Sequence, residues 1–103
     1  MHVHFTDNEI SLMQSALDKW GLNAQIGQAV EECAELIVVL QKYINRSPRL
    51  ITHDNIMDEI ADVEMMLAQI RLALSINDDV LRERIESKFE KLNQYLSEDE
   101  HSG

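Results

Sequence analysis

The sequence predicts an all-α protein, an antiparallel four-helix bundle completed by oligomerisation. Three observations carry that prediction. Apolar residues recur at steps of three and four in four successive segments. Turn punctuation is sparse, with three glycines and one proline, which favours a few long helices over many short strands. A content of 45% hydrophobic residues in 103 positions is enough for one core and too little chain for two, so residues 1–103 read as a single domain.

The first helix starts at Thr6. Thr6-Asp7-Asn8-Glu9 is a capping box, with Phe5 and Ile10 as a hydrophobic staple around it. Ile10, Met13, Leu17 and Trp20 form its apolar face, and Gly21 ends it in a left-handed conformation. The second helix runs from about Asn23 to Asn45. Ile26, Val30, Cys33, Ile37, Leu40 and Ile44 make a stripe, and Ala29, Leu36, Val39 and Tyr43 make a second apolar row beside it. Together the rows cover roughly half of the circumference, more than one neighbouring helix needs, which points to a central helix that also forms a subunit interface.

Arg46 to Ile51, with Pro48, reads as the next loop, and Thr52 or Asp54 as the cap of the third helix. Its stripe is Ile56, Ile60, Val63, Leu67, Ile70 and Leu74. A turn over Ser75–Asp79 follows, with Asn77 as cap and Asp78 and Asp79 in the first turn of the fourth helix. That helix carries Leu81, Ile85, Phe89, Leu92 and Leu96, and the acidic tail 97–103 is expected to fray.

Composition excludes several functions. A formal charge of −10 repels nucleic acid and anionic membranes. No apolar run approaches the roughly 20 residues that span a bilayer. Met1-His2-Val3-His4-Phe5 lacks the regions of a signal peptide, and the single cysteine, Cys33, permits no intrachain disulfide. These features point to a soluble, cytoplasmic protein.

The chemistry concentrates in two acidic clusters, Glu31-Glu32-Cys33-Ala34-Glu35 and Asp58-Glu59-Ile60-Ala61-Asp62. Carboxylates on an apolar helix are costly unless something pairs with them, and a hard divalent cation is the simplest partner. Taking the stripe of the second helix as 0°, Glu32 lies at about −120° and Glu35 at about −180°. On the third helix Glu59 lies at about −60° and Asp62 at about −120° from the stripe, the same rotational sense. A short connection makes these helices antiparallel. Folding the chain about Pro48 then levels Asp62 with Glu35, with Glu32 and Glu59 about a turn away, so four carboxylates converge on one side of the seam. Glu31 points elsewhere. The simpler reading is a solvated acidic face, but Glu32 and Glu59 interrupt apolar arcs. On the fourth helix Arg84, Lys88 and Lys91 share one flank, and a basic strip beside metal-bridged carboxylates suits a polyphosphate. Glu83, Glu86 and Glu90 offer those cations ordinary helical partners instead.

Trp20 reads as a core residue before it reads as a stacking platform, Cys33 as a small hydrophobe, and Met57, Met65 and Met66 as packing. The histidines form no zinc spacing.

Glu32-x-x-Glu35, then 23 residues, then Glu59-x-x-Asp62 resembles the paired carboxylate signature of the MazG-type all-α NTP pyrophosphohydrolases. Trp20-Gly21 and Gln25 before Glu31-Glu32-Cys33-Ala34-Glu35-Leu36 are similar to that family's lead-in and first motif, and Asp58-Glu59-Ile60-Ala61-Asp62-Val63 to its second. The resemblance covers roughly Leu17 to Leu74. It implies hydrolysis of a nucleoside or deoxynucleoside triphosphate to monophosphate and pyrophosphate. It implies Glu32, Glu35, Glu59 and Asp62 as Mg²⁺ ligands and assembly as a homodimer or homotetramer. Basic residues of the last helix would meet the phosphates, with Lys88 first, then Lys91 and Arg84. Glu35 and Glu32 are the catalytic candidates, Glu35 as the base that takes a proton from the attacking water. Phosphoribosyl-ATP pyrophosphohydrolase is a related alternative, disfavoured because Val63-Glu64-Met65-Met66-Leu67 follows the second motif where that family has a tyrosine-histidine pair. A non-catalytic helical oligomerisation module is the alternative from another class.

Overall fold

A computed structural model describes residues 5–45 and 53–102, with side chains through Glu98. The described residues form four α-helices and no strand: α1 Asp7–Trp20, α2 Leu22–Asn45, α3 His53–Ala73 and α4 Asp78–Ser102. The expected loop over Arg46–Ile51 and the candidate cap Thr52 lie outside the described residues. Asp54 sits in the first turn of α3. The backbone of α4 continues helically past Ser97, where fraying is expected, to Ser102.

Local chemistry explains the boundaries. The Thr6 amide donates to Glu9 Oε1 at 2.8 Å, and the Glu9 amide donates to Thr6 Oγ1 at 3.1 Å, which completes the capping box of α1. The hydrogen bond from the Thr6 backbone, and then that with the Thr6 side chain, holds the Glu9 carboxyl below its usual pKa. Gly21 ends α1 at φ +87°, where a side chain would strain the backbone, and its amide donates to the Leu17 carbonyl at 2.8 Å. Asn77 Oδ1 accepts from the amides of Asp79 and Val80 and starts α4. α3 closes without a glycine. Ser75 takes φ +53°, the Ile76 amide donates to the Arg71 carbonyl and the Ser75 amide to the Leu72 carbonyl, a Schellman end.

α2 and α3 pack along each other, and α1 lies against both. The pairing is antiparallel: the rings of Tyr43 and His53 are 6.3 Å apart at one level, and Glu32 meets Glu59 and Asp62 further along. Met13, Ala29, Met66 and Ala68 are the buried apolar residues, with Met66 only 2% exposed. α4 comes close to none of the other helices. The radius of gyration is 17.3 Å, against about 13 Å for a compact domain of this length. Among the described residues the chain is therefore a three-helix unit with a fourth helix standing apart. No described helix is long and apolar enough to cross a membrane.

The inward face of α2 differs from the expected stripe. The row Gln25, Ala29, Glu32, Leu36 and Val39 is buried or half-buried. In the stripe Ile26, Val30, Cys33, Ile37, Leu40 and Ile44 only Cys33 is half-buried, while Val30 is 64% and Ile44 77% exposed. Ala29 explains the choice, since a small side chain lets the neighbouring helix approach closely. On α3 the expected stripe splits. Ile56, Val63 and Ile70 turn inward beside Glu59 and Met66, and Ile60, Leu67 and Leu74 stay exposed.

Candidate metal centre

Carboxylate oxygens of Glu32, Glu59 and Asp62 lie within 4.8 Å of one another across the α2–α3 seam. Three of the four expected carboxylates are thus brought together. The fourth, Glu35, is exposed one turn further along α2 and lies outside this group. The Tyr43–His53 ring pair keeps the two helices close to the expected level of Asp62 with Glu35. Glu35 stays out of the group because its side chain is exposed, while that of Glu32 turns into the seam.

Glu32 and Glu59 are half-buried, and one oxygen of each, Oε2, is buried with no hydrogen-bond partner. The other oxygen of Glu32 accepts from Gln28 Nε2 at 2.9 Å. That bond orients the carboxylate, whose Oε2 stays buried and unpaired. Two full charges 4.8 Å apart repel by roughly 3 kcal/mol at an effective dielectric near 20. Among the described residues the only ion pair is Arg82 Nε to Glu86 Oε1, within α4. Among the described residues no lysine or arginine forms an ion pair with the cluster. Oxygen-only donors, two of them orphaned and mutually repelling, fit a hard divalent cation.

Beside the cluster, α1, α2 and α3 enclose a cleft of about 790 Å³ to which Glu32 and Asp62 both contribute. Its apolar wall includes Leu12, Met13, Trp20 and Met66. Gln25 and Gln69 also line it, 7% and 8% exposed, and their side chains form no hydrogen bond among the described residues. Trp20 is an exposed residue at this cleft rather than a core residue, and Lys19 Nζ sits 5.3 Å from the centre of its ring. The methionines divide: Met66 is buried packing, Met65 is exposed along the cleft, and Met57 is exposed elsewhere.

The structure does not bring α4 to this site. Arg84, Lys88 and Lys91 are exposed and remote from the α1–α3 unit, and none of them forms an ion pair among the described residues. The sequence singles out neither Gln28 nor Gln69, and Gln25 only as part of the lead-in to the first motif. Gln28 stands four residues before Glu32, the spacing of a helical side-chain pair. Gln25 stands seven before Glu32 and Gln69 seven after Asp62. Seven residues are two turns, so each glutamine shares the face of its carboxylate. In an antiparallel pair both displacements run the same way, so the two amides meet about 10 Å along the seam from the acidic cluster. Searches of the chain against family models, curated proteins and solved structures find no match.

Proposed function

We propose that this chain is a Mg²⁺-dependent nucleoside triphosphate pyrophosphohydrolase of the MazG-like kind, releasing a monophosphate and pyrophosphate. The observation that carries the reading is the pair of buried, partnerless oxygens, Glu32 Oε2 and Glu59 Oε2, grouped with Asp62. Glu32, Glu59 and Asp62 would hold the metal. When bound, Mg²⁺ supplies positive charge to the phosphates and lowers the pKa of a water molecule. Gln28 fixes the carboxylate plane of Glu32. Glu35, exposed on the next turn of α2, is free to take a proton from the attacking water.

The same reading makes the active protein a homodimer or homotetramer in the cytoplasm. The exposed stripe of α2 supports assembly, since exposed apolar rows of this extent mark interaction sites. Assembly would complete a helical bundle that α1–α3 begin. It would also give Arg84, Lys88 and Lys91 a route to the phosphates, from the α4 of a second copy. The exposed stripe alone equally favours a non-catalytic oligomerisation module, but that alternative leaves the orphaned carboxylate oxygens without a purpose. The deciding experiment is a panel of canonical and modified ribo- and deoxyribonucleoside triphosphates with Mg²⁺, scored for pyrophosphate. The reading expects release from at least one of them, and folded protein silent across the panel would overturn it.

A further inference from the structure

We propose that a second cleft, bounded by α1, the end of α3 and the start of α4, binds a free apolar α-amino acid as its zwitterion, with Arg71 holding the carboxylate and Asp78 the ammonium. The cleft has a volume of about 530 Å³, within the usual range for small-molecule sites. Met13 lines both clefts, but none of Glu32, Glu59 and Asp62 lines this one. On α3 the two clefts use different faces. Asp62, Met66 and Gln69 line the first, and Ala68, Arg71 and Ser75 the second, roughly 120° round the helix. Arg71 is half-buried, whereas every other lysine and arginine among the described residues is exposed. Yet its side chain forms no ion pair and no hydrogen bond among them. The chain has 19 acidic residues for nine basic ones, so the guanidinium does not stand alone for want of carboxylates. Its place in the last turn of α3 suits the negative end of that helix and leaves its donors to be met.

A guanidinium fork takes a carboxylate through two parallel hydrogen bonds. A simple anion is nonetheless a poor occupant. The chain carries a formal charge of −10 and repels anions from a distance, and Asp78 lines the same cleft. Asp78 and Arg71 are not paired with each other, so both charges are available to a ligand. An ammonium would meet Asp78 and the negative end of α3 together. The remaining walls are largely apolar, with Phe5, Ile10, Leu72 and Ile76. An α-amino acid carries a carboxylate, an ammonium and a side chain on one carbon and has no net charge, so it matches all three surfaces. Three attachments on one carbon also distinguish a molecule from its mirror image. The occupant touches α1, α3 and the first turn of α4 at once, and binding thereby fixes the angle at which α4 leaves the three-helix unit. The site is independent of the nucleotide reading of the acidic cluster.

The test is calorimetric titration of the full-length protein with L-leucine, L-methionine and L-phenylalanine, with the melting temperature read alongside. Each is compared with its D-enantiomer, with the acid that lacks the ammonium and with the amine that lacks the carboxylate (for leucine, isocaproate and isoamylamine). The expected result is saturable binding of at least one L-amino acid, with each of its analogues weaker by roughly tenfold or more. Arg71→Gln and Asp78→Asn should each weaken that binding by a similar factor, while Glu59→Gln leaves it unchanged. The wild-type analogue series stands even if a variant fails to fold. Neither heat nor a rise in melting temperature with any of the amino acids at millimolar concentration would overturn the inference. So would an acid that binds as tightly as its amino acid, which would make Arg71 a simple anion site. So would a sedimentation coefficient lowered by Arg71→Gln, which would assign the cleft to a second copy.

Discussion

The two faces of α2 depart from the ordinary rule for a surface helix. Its inward row carries Gln25 and Glu32 beside Ala29, Leu36 and Val39, while its outward stripe carries Ile26, Val30, Ile37 and Ile44. A helix that served only to fold this chain would point the branched aliphatics in and the polar groups out. The inward polar groups are not fully paired: Glu32 Oε2 is buried without a partner, and the Gln25 side chain has none among the described residues. The contrast teaches that the two faces serve different ends. The function proposed above gives the inner one to a ligand and the outer one to another polypeptide.

The largest expected effect is on the inner face. Glu59→Gln and Glu32→Gln should each lower the rate of pyrophosphate release by more than about 100-fold. They should also raise the melting temperature measured without metal, because each removes one member of a repelling group. A metal-free variant less stable than wild type would break the contrast, by showing that the carboxylates are structural. The next effect is on the outer face. Val30→Asp combined with Ile37→Asp should convert an oligomer to monomer in sedimentation velocity and leave the α-helical circular dichroism of the dilute protein largely intact. An unchanged sedimentation coefficient would refute an interface there.

A smaller effect sharpens the inner face. Gln28→Leu removes the 2.9 Å bond to Glu32 Oε1 and should weaken Mg²⁺ binding about 10- to 100-fold, read by calorimetric titration. The smallest effect touches neither face. Thr6→Ala removes the N-cap of α1 and should cost about 1 kcal/mol in denaturant unfolding, with metal affinity unchanged. It should depend on pH. Glu9 has a lowered pKa in the folded chain, so its share of the capping box is present above its unfolded pKa and is lost as pH falls through the folded value. The backbone amide at position 6 still donates to Glu9 in Thr6→Ala, so the difference from wild type should narrow only slightly in acid, by the share of the Thr6 side chain.

Much of this was legible in the sequence, and the boundary follows physical lines. Features set within a few residues read correctly: the box at Thr6 and Glu9, the stop at Gly21, and the cap at Asn77. Ser75 escaped because a serine in the left-handed region leaves no composition signal. The pairing of the acidic clusters was legible because both motifs fall on one seam. Which of the four side chains turn into the seam was not, and Glu35 stays exposed outside the group of Glu32, Glu59 and Asp62. The face of α2 was ambiguous for a related reason. When apolar residues cover half a helix, periodicity marks the arc and cannot choose between its rows. The apolar stripe of α4 likewise reads the same whether its neighbour is in this chain or another. Gln28 and Gln69 were hidden, and Gln25 was marked only by the resemblance, because an uncharged amide looks neutral until burial or a partner gives it meaning.

The most direct test of the inner face is the melting temperature of wild type and Glu59→Gln across a Mg²⁺ titration. The account predicts that Mg²⁺ stabilises the wild type, by about 2.7 kcal/mol at a hundredfold excess over the dissociation constant, and that Glu59→Gln largely abolishes the effect. A wild type indifferent to Mg²⁺, or a variant stabilised just as much, would contradict it.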